Sequence, residues 1–365
     1  MPRATLSYII SGEFPLKTKP FLAVILSAVL FGLSPPLAKI LLKDVPPVGL
    51  AGILYLGVFA GLTLYSAGRK PWVRRGGERP APLGKRDRGW LAGAVVCGGI
   101  LGPICLMAGL SHISGFSASL LLNLEGLFTA LIAVFFFKEN AGRRIWLALG
   151  AMTLAGVFLA WDPRQTRFQI TGSLLILLAM LCWGLDNNFT RNISDKDPIQ
   201  IARIKGFFAG AVSLSLAVAL GFKPPLNMTL VYSLGLGAVS YGLSLVLFIK
   251  ALEGLGAFRT GAFFSLAPFV GACASFFILK EPVGWFMFPA ALLMAAGVWL
   301  LISEKHGHAH KHERMVHTHS HTHCDLHHTH RHAGELNEPH AHEHEHEELD
   351  HVHGHWPDIH HRHGH

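Results

Sequence analysis

Charged residues are scarce in this sequence. Only 15% of its 365 residues are Asp, Glu, Lys or Arg, whereas 51% are hydrophobic. The mean hydropathy is +0.39 even though the C-terminal tail is polar. A soluble chain of this length needs a larger polar surface, so the composition argues against a soluble protein and favours a membrane protein.

Motifs for covalent and nucleotide chemistry are also missing. The apolar part of the chain contains no nucleophile-and-base pair, no phosphate-binding loop and no closed set of metal ligands. We therefore expect no enzyme activity and no ATP-driven step. The energy for any transport would then come from an ion gradient or from the substrate's own gradient.

Cysteine is rare and has no pairing pattern. The five cysteines are scattered and contain no CxxC pair, which predicts reduced thiols rather than a disulfide framework. The N-terminus also lacks an adequate signal-peptide apolar region followed by a small-residue cleavage site. We therefore expect the first apolar span to be retained.

The formal net charge of +8 does not indicate nucleic-acid binding, because Lys and Arg are concentrated between apolar stretches. The segment 68–89 alone holds eight of them. Short basic loops face the cytoplasm under the positive-inside bias. The pattern predicts a multi-pass protein of the inner (cytoplasmic) or plasma membrane, with cytoplasmic N- and C-termini and no nucleic-acid partner.

Apolar stretches long enough to cross a bilayer as helices recur along the chain. We place ten, at residues 21–42, 47–67, 90–110, 115–137, 145–161, 170–190, 199–220, 229–250, 257–279 and 283–302. The first contains Pro35-Pro36, which removes two amide donors and predicts a bend.

One apolar segment occurs twice. The first copy, residues 108–139, is AGLSHISGFSASLLLNLEGLFTALIAVFFFKE, and its echo at 251–281 is ALEGLGAFRTGAFFSLAPFVGACASFFILKE. A repeat of five spans inverts the second copy relative to the first, as in many secondary transporters. An offset of 152 residues aligns Pro35-Pro36 with Asn187-Asn188, which predicts an irregular point in both halves.

The segments FGLSPPLAK, NLEGLFTALIAVFFFKE, WGLDNNFTR and LAPFVGACASFFILKEPV resemble the paired EamA domains of the drug/metabolite transporter superfamily. The resemblance covers residues 21–302. It implies an all-α membrane protein with ten transmembrane helices as two inverted five-helix repeats, and a central cavity lined mainly by helices one, three, four, six, eight and nine. The family's frequent Glu-Pro pair is Glu125-Gly126 here, and Ala267-Pro268 in the ninth helix.

The resulting domain plan has four parts. They are a cytoplasmic lead at 1–20, the first repeat at 21–161, the second repeat at 170–302 and a His-rich cytoplasmic tail at 303–365.

Polar side chains inside the spans are candidate substrate contacts, because an ionisable group in hydrocarbon needs a cavity or a partner. The candidates are Ser34, Pro35, Asn123, Glu125, Asp186, Asn187 and Tyr241. Glu125 is either a proton-coupling or substrate-amine contact or a structural carboxyl, and residues 186–188 either line a cavity or cap a helix end. We expect Lys205 to snorkel to the surface rather than pair with Asp186 or Asp197.

The tail holds 23 of the chain's 24 histidines, mostly as His-x-His, and too little apolar content to bury a core, so we expect disorder. The candidate metal ligands are His306, His308, His310, His312, His317, His319, His321, His323, His342, His344 and His346. Alternating imidazoles bind Zn, Ni, Co or Cu with little geometric selectivity. No cofactor is required by this plan.

Three functions are compatible with the sequence. The first is a secondary transporter that exports small metabolites or drugs by alternating access. The second is a transition-metal exporter whose tail captures or senses Ni, Co or Zn, and the third is a membrane-anchored metal buffer or sensor. The expected partners are the lipid bilayer and a small-molecule or metal-ion substrate, while proton coupling and a homodimer are left open.

Overall fold

The structure is a computed structural model that describes residues 18–68, 82–137, 143–160, 167–194, 196–255, 257–281, 284–285, 287–302, 307–312, 315–321, 340–346 and 349–354. Every element described between residues 18 and 302 is helical. This agrees with the all-α membrane class that the composition predicts.

The helices of the first half are α1a (Thr18–Gly32), α1b (Ser34–Leu41), α2 (Pro47–Ala67), α3a (Asp87–Ala94), α3b (Gly102–His112), α4a (Gly115–Leu121), α4b (Leu124–Phe137) and α5 (Arg143–Ala160). Those of the second half are α6 (Arg167–Arg191), α7 (Pro198–Ala219), α8a (Met228–Leu236), α8b (Ser244–Leu255), α9a (Ala257–Phe264), α9b (Ala267–Leu279) and α10 (Met287–Ile302). A π-helical segment joins the two parts of α3 (π1, Val95–Leu101) and of α8 (π2, Gly237–Leu243).

Within the described residues, seven helical stretches are long and apolar enough to cross a membrane. They are Lys19–Leu41, Pro47–Ala67, Asp87–His112, Gly115–Phe136, Ile170–Arg191, Pro198–Ala219 and Met228–Leu252, and shorter apolar helices cover Ala267–Leu279 and Met287–Leu300. Large apolar side chains such as Leu64, Phe136 and Trp285 are 77%, 79% and 82% exposed, as lipid-facing side chains are. The total of ten spans stays a prediction.

Among the described helices, two of the three irregular points of the first half recur in the second. The π1 and π2 segments begin 142 residues apart, the offset that separates Lys138 from Lys280. The breaks in α4 and α9, at residues 122–123 and 265–266, lie 143 residues apart. The predicted match between Pro35-Pro36 and Asn187-Asn188 is wrong, because α6 runs unbroken to Arg191. Asparagine keeps the amide donor that proline lacks, so α6 retains its hydrogen bonds.

Each break in the first half has a local cause. In α1 the prolines at positions 35 and 36 lie in the first turn of α1b, which begins at Ser34, and there their missing donors cost nothing. In α4 the Leu120 carbonyl accepts from both the backbone amide and the side-chain Nδ2 atom of Asn123, each at 3.2 Å. Asn123 is therefore bound within its own helix.

Contacts between the halves are reciprocal. Helix α6 packs against α3 and α4, and α1, its counterpart in the first half, packs against α8 and α9. Helix α2 packs against α7, and α5 packs against α10. Buried serines join α1a to α8b, since Ser27 Oγ donates to the Ser244 carbonyl at 2.7 Å and Ser244 Oγ donates back at 3.0 Å. The halves thus form one interlocked bundle.

Four short strands are described in the tail: β1 (Gly307–His312), β2 (Met315–His321), β3 (His340–His346) and β4 (Leu349–Gly354). Strand β1 pairs antiparallel with β4, and β2 with β3. The expected disorder of the tail without ligand stays a prediction. Metal binding by the tail stays a prediction.

Candidate functional site

An ion pair joins α6 and α7 inside the bundle. Lys205 Nζ lies 2.5 Å from Asp186 Oδ2, and the two side chains are only 16% and 12% exposed. Thr190 Oγ1 donates to the other Asp186 oxygen at 3.1 Å. The expectation that Lys205 snorkels is wrong, because a carboxylate on the neighbouring helix compensates its charge at depth. Asp197 instead caps α7 by accepting from the Ile199 amide at 2.8 Å.

The carbonyl of Gly98, in π1, is a second fixed point. It accepts hydrogen bonds from the Tyr55 hydroxyl at 2.8 Å and from Trp183 Nε1 at 3.1 Å. A Cβ atom at Gly98 would lie 1.9 Å from Asp186 Oδ2, so the absence of a side chain is what lets the carboxylate approach. Pro103 follows four residues after Gly99 and cannot donate to its carbonyl, which favours the local widening into a π-helix.

Glu125 lies in the first turn of α4b and faces α6. Its Oε1 atom accepts from Asn187 Nδ2 at 2.9 Å, and the same amide nitrogen donates to Thr129 Oγ1 at 3.1 Å. The neighbouring Asn188 amide donates to the Thr129 carbonyl at 3.2 Å and to Gly184 within α6. Residues 186–188 therefore bond to other helices and do not cap a helix end.

These side chains form one group, which we call the interior polar layer: Tyr55, Gly98, Glu125, Trp183, Asp186, Asn187 and Lys205. Glu125 lies close enough to Asp186 and Lys205 to interact with both electrostatically, and Tyr55 interacts with Glu125, Asp186 and Tyr241. The layer draws on α2, π1, α4b, α6 and α7, so both halves contribute. It combines two carboxylates, one ammonium group and two aromatic donors.

The predicted site residues fall into three places. Glu125, Asp186 and Asn187 meet in the interior polar layer. Ser34 and Tyr241 interact with each other beside it, and the Tyr241 ring lies 6.4 Å from that of Tyr55. Pro35 is buried next to Ser34, and Asn123 is occupied at the α4 break.

Helix α4 carries two polar stripes whose members are four residues apart, Ser119 with Asn123 and Glu125 with Thr129, and the structure separates them. Glu125 and Thr129 face Asn187, whereas Ser119 lies against α9b, where a Cβ on Gly271 would come within 2.8 Å of its Oγ atom. The stripe that carries Glu125 is the one that reaches the polar layer.

Sequence reasoning missed four members of the layer: Tyr55, Gly98, Trp183 and the role of Lys205. The signal for Lys205 was its depth in an apolar span, nineteen residues after Asp186. The signal for Gly98 was the Gly98-Gly99 pair followed by Gly102-Pro103, a composition that disturbs a helix. Nothing in the sequence connects Tyr55 to Gly98, which lies 43 positions away.

Metal ligands do not converge in the part of the chain that the structure describes, where no group of three or more His, Cys, Asp or Glu side chains could hold an ion. The side chains of the tail histidines lie outside that part. The structure therefore does not test the predicted metal ligands, from His306 to His346.

Comparison with known proteins agrees with this architecture. The EamA-like transporter family model matches residues 18–161 and again residues 170–303. An uncharacterized transporter of Methanothermobacter thermautotrophicus is 28% identical over 303 residues, which is 80% of this chain and 88% of the relative. An S-adenosylmethionine uptake transporter of Rickettsia felis is 27% identical over 191 residues, 51% of this chain and 63% of the relative.

A solved crystal structure of another protein has the same fold. Its TM-score is 0.53 at 16% sequence identity, and the alignment covers 76% of this chain and 94% of that one.

Proposed function

The chain belongs to the EamA-like transporter family, two copies of whose model cover most of it, and from this premise we propose a secondary transporter of small metabolites. The two halves would expose the interior polar layer to alternate sides of the membrane. The observation that carries the proposal is the layer itself, which the first half builds from α2, π1 and α4b and the second half from α6 and α7.

The irregular backbone gives the layer its chemistry. A π-helical turn frees backbone carbonyls from the hydrogen bonds of the regular i to i−4 pattern. The Gly98 carbonyl accepts hydrogen bonds from Tyr55 and Trp183 instead. Non-helical backbone at membrane depth is tolerated where protein or a cavity covers it. The reciprocal packing of the halves supports two inverted five-helix repeats around this level.

Glu125 is the carboxylate that we assign to the substrate or to a coupled proton. The Asp186 carboxylate is held by an ammonium group, whereas that of Glu125 is held by the neutral Asn187 amide. A carboxylate held only by an amide can exchange that partner for an amine, because an ionic hydrogen bond is stronger than a neutral one. Tyr55 belongs to the same layer, and its ring can also contact a cation.

The direction of transport and the identity of the substrate are questions for a transport assay. The family resemblance implies export, while one relative is named for uptake, and a transport assay must decide between them. The metal-exporter and metal-buffer alternatives depend on the tail alone. Proton coupling, a homodimer and cytoplasmic termini stay predictions.

The test is transport by the full chain in proteoliposomes, with a panel of amino acids, nucleosides, S-adenosylmethionine and divalent metal ions. Glu125→Gln should reduce transport of the accepted compound by about tenfold or more, the equivalent of one charged hydrogen bond. Asp44→Asn removes a carboxylate from an exposed position and serves as the matched control. Equal rates for Glu125→Gln and Asp44→Asn contradict the assignment of Glu125.

A further inference from the structure

A second ion pair lies at one end of the bundle, away from the interior polar layer. Lys39 Nζ, in the last turn of α1b, lies 3.6 Å from Glu281 Oε1, just beyond the end of α9b. The two side chains are 24% and 16% exposed. Lys280 ends α9b in the left-handed conformation, with φ of 52°, and the chain turns there to present Glu281. The pair connects the first half to the second.

Each partner also binds a helix end of the first half. Lys39 donates to the Leu110 carbonyl at 3.1 Å and to the Ile113 carbonyl, both at the C-terminal end of α3b. Glu281 Oε2 accepts from the Phe116 amide, in the first turn of α4a, at 3.4 Å. An ammonium at a helix C-terminus and a carboxylate at a helix N-terminus both match the helix dipole. The pair therefore ties together α1b, α3b, α4a and α9b.

A close-packed seam leads inward from this pair. Ala267, Gly271 and Ser275 repeat every four residues on α9b and face the first half. A Cβ on Gly115 would lie 2.7 Å from Ser275 Oγ, and one on Gly32 would lie 2.3 Å from the Ala267 carbonyl oxygen. Small residues at this spacing let helices approach closely in membranes. Bulky side chains would hold the same helices apart.

The helices that form this end are broken just below it. Helix α1 breaks at Leu33, α4 at residues 122–123 and α9 at residues 265–266. The pieces α1b, α4a and α9b therefore all lie on the Glu281 side of a break. Helix breaks are where segments can change direction, because the backbone there is not tied into the regular ladder.

We propose that the Lys39–Glu281 pair is a latch that holds α1b, α4a and α9b closed over the seam at this end of the transport path. The latch breaks when that end opens. This role rests on the proposed function, since only an alternating-access protein must open there. By the positive-inside pattern the Glu281 end is the outer one, because the basic residues of the sequence between α2 and α3a predict that those two helices meet their connection on the cytoplasmic side.

Cys97 is a native reporter for the test. It is partly exposed in π1 and interacts electrostatically with Asp186 and Lys205, so it lies beside the interior polar layer. With Cys105, Cys182, Cys273 and Cys324 replaced by serine, a membrane-impermeant thiol reagent measures how fast Cys97 is reached from each side of the membrane.

Glu281→Gln and Lys39→Gln should each raise the Cys97 modification rate from the Glu281 side by about threefold to tenfold, the range expected for a partly buried ion pair. The double variant should raise the rate by less than the product of the two single effects, because each single substitution already breaks the ion pair. Lys43→Gln, which removes an exposed charge two residues beyond α1b, should leave the rate unchanged.

An unchanged rate in folded Glu281→Gln protein overturns the latch, and so does an equal rise from both sides, which would indicate general loosening. If Glu281→Gln does not fold, Glu281→Asp should show a smaller rise, and a wild-type rate there overturns the latch as well. Failure of the proposed function gives a different result. In that case, no compound of the panel changes the rate at which Cys97 is modified, from either side of the membrane, in the protein that keeps Lys39 and Glu281.

Discussion

Replacing Lys205 by methionine tests whether the interior polar layer depends on charge compensation. The Asp186 carboxylate would keep its bond from Thr190 but lose the ammonium group 2.5 Å away. Removing one partner of a buried ion pair costs about 3–5 kcal/mol. Because both side chains retain some exposure, 12% for Asp186 and 16% for Lys205, we expect the lower end of that range, about 3 kcal/mol.

The double variant Asp186→Asn/Lys205→Met separates charge from packing. It removes both charges and keeps the approximate shape of the site, so its loss of unfolding free energy should be about 1 kcal/mol. The coupling energy of the pair would then be about 2 kcal/mol or more, depending on the cost of Asp186→Asn alone.

Unfolding free energies can be measured by denaturant titration of the purified chain in mixed micelles, with tryptophan fluorescence as the signal. Lys223→Met removes a lysine from an exposed loop position and is the control, with an expected change near zero. The reasoning is refuted if Lys205→Met costs no more than Lys223→Met. It is equally refuted if the double variant loses the sum of the two single losses, because the two charges would then act independently.

Two further predictions concern the Gly98 contact and the tail. Gly98→Ala should lower the free energy of unfolding by more than about 1 kcal/mol and reduce transport, because the new methyl group would lie 1.9 Å from Asp186 Oδ2. The control in the same unfolding and transport assays is Gly235→Ala, where a Cβ meets nothing within 4 Å. Deleting residues 303–365 should leave both metabolite transport and metal tolerance unchanged. Altered metal tolerance would instead favour the metal alternatives.

The main features of the fold were readable from the sequence. Span length and hydropathy predict the helices, since crossing hydrocarbon demands about 20 apolar residues. The repeat that ends at Lys280-Glu281 predicts the second half from the first, and the family model confirms the family resemblance on residues 18–161 and 170–303. The break in α1 follows from Pro35-Pro36 because proline lacks an amide donor.

Partners across the bundle were harder to predict. Asp186 and Glu125 were candidates because ionisable groups in hydrocarbon are costly, but their cost does not say which group compensates them. Lys205 could have reached the surface or either of two carboxylates, and only the packing of α6 on α7 selects Asp186. The continuous α6 also escaped prediction, because asparagine can either end a helix or bond within one.

The sequence by itself determined the class of protein, the number of halves and the depth of the polar residues, because these depend on composition and order along the chain. The tertiary structure alone decided that Gly98 admits the Asp186 carboxylate, that Asn187 holds Glu125 and that Lys39 meets Glu281 across 242 positions. Such contacts depend on where helices cross. Helix crossings are set by the shapes of many side chains at once, which no local pattern records.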